Sequence, residues 1–190
     1  RPSLHYQCDA QQDFAQSFQV STTMEVNKVD LYLKKVSTPS NLTVRIVSNS
    51  GSSPSTSTLA SGSLSSSLVS SNYGWVSVSL TSNPELVQGT TYWIVIDGST
   101  SSSKYYKIGA NNNGYSSGNA KIGRHSGTWN ATSPSSLDGF FKIYLGGLTG
   151  LIDGIEVGSN GVGNAYAHEV RNSTIVGTNY CQIGSGNNKS

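Results

Sequence analysis

The chain has 190 residues, with 12 basic and 10 acidic side chains and a formal net charge of +2. Its charged fraction of 12% is about half of what globular domains usually carry, while Ser, Thr, Gly and Asn together make up nearly half of the residues. That balance excludes disorder driven by charge, and without a run of like charges there is no electrostatic footprint for nucleic acid and no polybasic patch for anionic lipid.

Phe14 to Val20 opens the readable part, with Phe14, Phe18 and Val20 in an extended, mostly alternating pattern. Asn27 to Val36 follows, placing Val29, Leu31 and Leu33 on one face and Asp30, Tyr32 and Lys34 on the other. Pro39-Ser-Asn turns the chain. Leu42, Val44 and Ile46 then alternate with Thr43, Arg45 and Val47. Ser48 to Ser71, largely Ser, Thr and Gly, reads as loop with one short edge strand near Leu59 to Leu64. Trp75 to Leu80 alternates again, with Val76, Val78 and Leu80 inward and Trp75, Ser77 and Ser79 outward.

After the Asn83-Pro84 turn comes Leu86 to Asp97, in which Tyr92, Trp93, Ile94, Val95 and Ile96 are aromatic or β-branched at successive positions. The run is too short for an ordinary helix and apolar on both faces, which predicts a strand in the interior of a sheet with both sides covered. Lys104 to Gly109 reads as the next strand, Asn111 to Gly118 as a long polar loop, Ala120 to Gly123 as a short strand, and Gly127 to Pro134 as loop. Phe140 to Leu145 closes the series with Phe141, Ile143 and Leu145 inward. Eight or nine strands with no helical periodicity predict an all-β fold, an antiparallel two-sheet sandwich of jelly-roll type over 1–147.

From Leu148 to Ser190 the apolar residues are isolated in Gly and Asn, and Val157-Gly-Ser-Asn160 recurs as Val176-Gly-Thr-Asn179 at an offset of 19. Such a repeat reads as a short β-helix-like (solenoid) C-terminal extension over 148–190, which must pack on the sandwich or on a neighbour because rungs bury nothing alone. The other reading is a Gly-rich linker. No apolar segment approaches the length of a membrane-spanning helix, and the start at Arg1-Pro2-Ser3 reads as a mature or excised piece. Cys8 and Cys181 stand near the two ends. They either form one disulfide, worth roughly 5 kcal/mol in the chain-entropy model, or are two unrelated buried thiols. Few charges and many Ser, Thr and Asn suit an exported, extracellular protein.

The order Phe14-Ala-Gln-Ser-Phe, Val29-Asp-Leu-Tyr-Leu, Asn41-Leu-Thr-Val-Arg-Ile, Leu59-Ala-Ser-Gly-Ser-Leu, Tyr73-Gly-Trp-Val-Ser-Val, Gly89-Thr-Thr-Tyr-Trp-Ile-Val-Ile and Phe140-Phe-Lys-Ile-Tyr resembles the bacterial choice-of-anchor family of surface β-sandwich domains, specifically its R-type. The resemblance spans Phe14 to Leu145. It implies an exported, surface-attached setting and lends no catalytic residues. At the level of fold the chain also resembles jelly-roll carbohydrate-binding modules.

The ten carboxylates are scattered without a glycosidase-like pair, His168-Glu169 lacks a second metal-binding histidine, and no serine sits in a Gly-x-Ser-x-Gly elbow. No catalytic residue and no cofactor are expected. A structural calcium ion could draw on Asp9, Asp97 or Asp138, but their spacing is not that of a calcium loop, so no metal is assigned. Binding is better supported. Tyr32, Trp75 and Tyr144 point away from the inner core near Lys34, Arg45 and Lys142; Trp93 either joins them or belongs to the core. A second set, Tyr105, Tyr106, Tyr115, Arg124, His125 and Trp129, gathers aromatic rings in polar loops. Rings flanked by hydrogen-bonding side chains suit sugars. The chain therefore reads as a non-catalytic extracellular cell-surface module for adhesion or carbohydrate binding. A self-assembling subunit of a surface filament or layer is the alternative, and a fragment of a polysaccharide-active enzyme a remote one.

Overall fold

The computed structural model describes residues 4–8, 12–98, 101–112 and 114–145. The solenoid-like extension, the boundary at 147 and the partner of Cys8 in the expected disulfide lie outside the described residues. Within them the chain is all-β, with no α-helix and one turn of 3-10 helix at Ser66–Leu68.

Thirteen strands are present among the described residues: β1 (Leu4–Cys8), β2 (Asp13–Gln19), β3 (Met24–Val36), β4 (Leu42–Ser50), β5 (Ser53–Leu64), β6 (Gly74–Ser79), β7 (Glu85–Leu86), β8 (Thr91–Asp97), β9 (Tyr105–Asn112), β10 (Ala120–Gly123), β11 (Trp129–Ala131), β12 (Leu137–Gly139) and β13 (Phe141–Leu145). They pair antiparallel in two sheets. The first runs β11-β10-β2-β8-β4-β5. The second runs β1-β9-β3-β13, with β12 on β9 and with β6 and β7 on β3.

Strand β8 occupies the interior of the first sheet, as its unbroken apolar run predicts. It pairs with β2 on one side, Ile94 opposite Gln16, and with β4 on the other, Ile94 opposite Ile46. Tyr92, Ile94 and Ile96 enter the core between the sheets with Phe14, Phe18, Val29, Leu31, Leu33, Leu42, Val44 and Ile108. Trp93 and Val95, on the opposite face, are buried in a second cluster with Ala15 and Val47, against which Trp129 packs. Trp93 thus points away from the inner core and is nevertheless only 2% exposed.

A polar bridge between side chains crosses the core. Gln16 on β2 donates from Nε2 to Asp138 Oδ1 on β12 at 3.0 Å and accepts from Gly139 N at 2.8 Å. With both groups buried, such hydrogen bonds fix how the sheets face each other, because an unmet partner in this interior would cost the full desolvation of its polar group.

Composition misleads in three places. Ser48 to Ser71 is not mainly loop: β4 continues to Ser50 and β5 spans twelve residues. Gly51 and Ser52, with φ of 53° and 64°, make the tight reversal, and pairing with β4 supplies hydrogen bonds that side chains do not reveal. On this edge strand the serines and threonines face largely outward while Pro54, Ala60, Gly62 and Leu64 are buried. Similarly, Trp129–Ala131 falls in an expected loop but pairs with β10. Strand β9 runs on to Asn112 into the expected polar loop, because Leu137–Gly139 pairs with that end.

Candidate functional site

The outer face of the second sheet carries the densest aromatic surface. Period-two alternation on β3 buries Val29, Leu31 and Leu33, so Lys28, Asp30, Tyr32 and Lys34 must take the other side. Register does the rest: Tyr32 lies opposite Trp75 and Asp30 opposite Ser77 on β6, while Asp30 lies opposite Lys142 and Lys28 opposite Tyr144 on β13.

Tyr32 is the hub. Its ring centre is 5.3 Å from Trp75, 5.8 Å from Tyr73 in a stacked arrangement, and 6.0 Å from Phe140. Three ammonium groups lie over the surrounding rings, Lys142 at 4.2 Å from Trp75, Lys28 at 3.7 Å from Tyr144 and Lys34 at 5.0 Å from Tyr73. Trp75 is 45% and Tyr144 36% exposed. The rings on these neighbouring strands form a partly exposed patch whose π-faces carry the cations.

Asp30 ties this face together. Its Oδ1 accepts from Ser77 Oγ and its Oδ2 from Tyr144 OH, both at 2.6 Å. Burial alone would raise its pKa, but the hydrogen bonds from Ser77 and Tyr144 and the charges of Lys28 and Lys142 outweigh it and hold the carboxyl below its ordinary value. The same bond pushes the Tyr144 phenol up, and burial does so for Tyr73. With both oxygens engaged, Asp30 is an anchor for its neighbours and not a free base.

The sequence-derived aromatic set is therefore divided. Tyr32, Trp75 and Tyr144 come together with Lys34 and Lys142, whereas Trp93 and Arg45 belong to the first sheet, where Arg45 pairs with Asp97 at 2.7 Å. The second set is not brought together as one group. Tyr106 is fully buried and donates its hydroxyl to Ser40 O at 2.6 Å, so it is a core residue. Tyr105 precedes it on β9. Tyr115 packs edge-on against Phe141, with its hydroxyl 3.2 Å from the Gln19 amide. Arg124, His125 and Trp129 sit on the β10–β11 hairpin of the other sheet. Nearness in sequence put these residues in one group, and alternation between sheets separates them.

Tyr73, Phe140, Lys28 and Asp30 complete the face without having been singled out from the sequence. The signal was periodic: Tyr73 stands two residues before Trp75, Phe140 two before Lys142, and Lys28 and Asp30 keep step with Tyr32.

The outer face of the first sheet carries a groove of about 700 Å³, lined among others by Ser17, Asn49, Thr91, Trp93, Asn119 and Lys121. Trp93 Nε1 donates to Asn49 Oδ1 at 2.9 Å and Lys121 Nζ reaches Ser53 Oγ at 2.7 Å, so its polar walls are already partly satisfied. Elsewhere on this sheet Trp129, Gly123 and Asp13 share a row. Asp13 Oδ2 accepts from His125 N at 2.9 Å, while Oδ1, 3.9 Å from Arg124, has no hydrogen-bond partner. Burial raises the Asp13 pKa and lowers that of His125.

The residues considered for calcium are not brought together. Asp97 pairs with Arg45 on the first sheet; Asp138, on the second, accepts from Gln16 and from Tyr115 N at 2.9 Å; Asp9 lies outside the described residues. Among the described residues no three His, Cys, Asp or Glu side chains converge as a metal site. No family model matches the chain, and no curated protein matches it.

Proposed function

We propose that this chain is a non-catalytic extracellular module that attaches to a glycan or cell-surface polymer through the outer face of β3, β6 and β13. The observation that carries the reading is the Tyr32–Trp75 pair, two rings at 5.3 Å on neighbouring strands with Trp75 half open to solvent. Sugar C–H faces stack on such rings, and the ammonium groups they displace from the ring faces supply donors for sugar hydroxyls. The rigid sheet sets the ring positions in advance, which lowers the ordering cost of binding.

The finer fold assignment belongs to the same proposal. Strands β2, β8, β4 and β5 are neighbours in one sheet and β6, β3 and β13 in the other, so the chain repeatedly changes sheet, as it does in a jelly roll. That order supports jelly-roll type. Membership of the choice-of-anchor family rests on motif order alone. Low charge and Ser/Thr-rich strands favour an exported, surface-attached setting.

Titration of tryptophan fluorescence with a panel of neutral and acidic glycans tests the reading. A saturable change that disappears in Trp75→Ala, with the fold intact by circular dichroism, is the expected result. Silence across the whole panel would sink it.

A further inference from the structure

We propose that the ligand of this face is an anionic saccharide chain, recognised by Lys28, Lys34 and Lys142 together with the rings beneath them. The inference rests on the saccharide-binding reading above and adds the charge class of the ligand. Each of the three lysines places its ammonium over a different ring, Tyr144, Tyr73 and Trp75. Among the described residues none of the three is in a salt bridge. The carboxylate between them, Asp30, is 7% exposed and spends both oxygens on Ser77 and Tyr144. These three cations therefore point outward, and the carboxylate between them is covered.

The position of the ammonium groups is what selects. A sugar that stacks on Trp75 or Tyr144 takes the place of the lysine now over that ring, and the cation–π contact is lost. A neutral sugar returns only hydroxyl acceptors to the displaced ammonium. A sugar with a carboxylate or sulfate returns a hydrogen bond to an acceptor of opposite charge, an ion pair, so ring and ammonium are both satisfied in the complex. Lys28 and Lys34 lie six residues apart on one strand, roughly 20 Å at the rise of an extended chain. That separation requires a ligand with repeated charges, an oligomer and not a monosaccharide.

The test titrates the full chain with oligogalacturonate, with the same oligomer fully methyl-esterified, and with a sulfated oligosaccharide, followed by calorimetry and tryptophan fluorescence. Binding of the charged probes about tenfold or more tighter than the ester, weakening as salt rises from about 50 to about 500 mM, supports the proposal. Which charged probe binds then identifies carboxylate or sulfate as the source. Lys142→Gln should weaken binding of the acid form more than binding of the ester, with the fold intact by circular dichroism; equal weakening of both would overturn the assignment to Lys142. Equal affinity for acid and ester overturns the charge assignment and leaves saccharide binding standing. No binding of any probe overturns both. Light scattering without ligand supplies the remaining outcome: a dimer that Trp75→Ala dissociates would make this face an interface between copies of the chain and overturn the proposal.

Discussion

The Tyr144 hydroxyl donates to Asp30 Oδ2 at 2.6 Å across the β13–β3 pair. The two residues are two positions out of direct register, since Asp30 faces Lys142 and Tyr144 faces Lys28, so the bond is a diagonal one. It binds a ring of the exposed face to the carboxylate at its centre, and with Ser77 on β6 it joins three strands through one side chain.

That bond predicts how the face titrates. Asp30 has a folded pKa below its ordinary value, so its contribution to stability is full above the unfolded value and is lost as pH falls through the folded one. Tyr144→Phe removes one of the two hydrogen bonds. A carboxyl-detected NMR titration should place Asp30 higher in the variant than in the wild type, with acid unfolding starting at higher pH. An unchanged Asp30 midpoint would show that Ser77 and the lysines suffice.

Asp13 should behave in the opposite sense. Burial holds its pKa above the ordinary value, so its proton is bound more tightly in the folded chain; the resulting stabilisation is full below the unfolded pKa and disappears as pH rises through the folded one. Asp13→Asn keeps an acceptor for the His125 amide and removes the buried charge. Thermal unfolding is expected to give equal midpoints near about pH 3 and a higher midpoint for the variant near about pH 7. A loss at both pH values would mean that the Arg124 pair outweighs burial.

Ile94 and Trp75 should separate core from surface. Ile94 is fully buried at the centre of β8, and Ile94→Ala should cost about 2–5 kcal/mol in urea unfolding. Trp75→Ala, at a site that is 45% exposed, should cost less than about 1 kcal/mol. Comparable losses would mean that the aromatic face is structural.

Gly62 on the edge strand β5 lies close against β6. A β-carbon there would collide with Ser79 O and lie 2.8 Å from Val78 Cγ1. Gly62→Ala should therefore destabilise by about 1–3 kcal/mol, since a backbone atom cannot step aside as a flexible side chain would. Urea unfolding measures it. A neutral effect would show that β5 is free to shift outward.

Much of the architecture was legible because alternation on a strand is a local property. The double-faced apolar run of β8, the inward sets of β3, β4 and β6, and the outward Tyr32 and Trp75 follow from a period of two applied to contiguous residues. Ser53–Leu64 was not legible, because on an edge strand a serine facing water looks like a serine in a loop. The loop set is divided for the related reason that Tyr106 and Trp129, grouped by their place in the sequence, belong to different sheets.

By itself, the sequence determined that this chain folds as strands with apolar inner faces and a low surface charge, because side-chain type and period of two decide which face is buried. Only the tertiary structure decided which outward residues share a surface. Pairing register placed Tyr32 beside Trp75 and Asp30 between Ser77 and Lys142, and register is set by contacts between segments far apart in the chain, which no local pattern records.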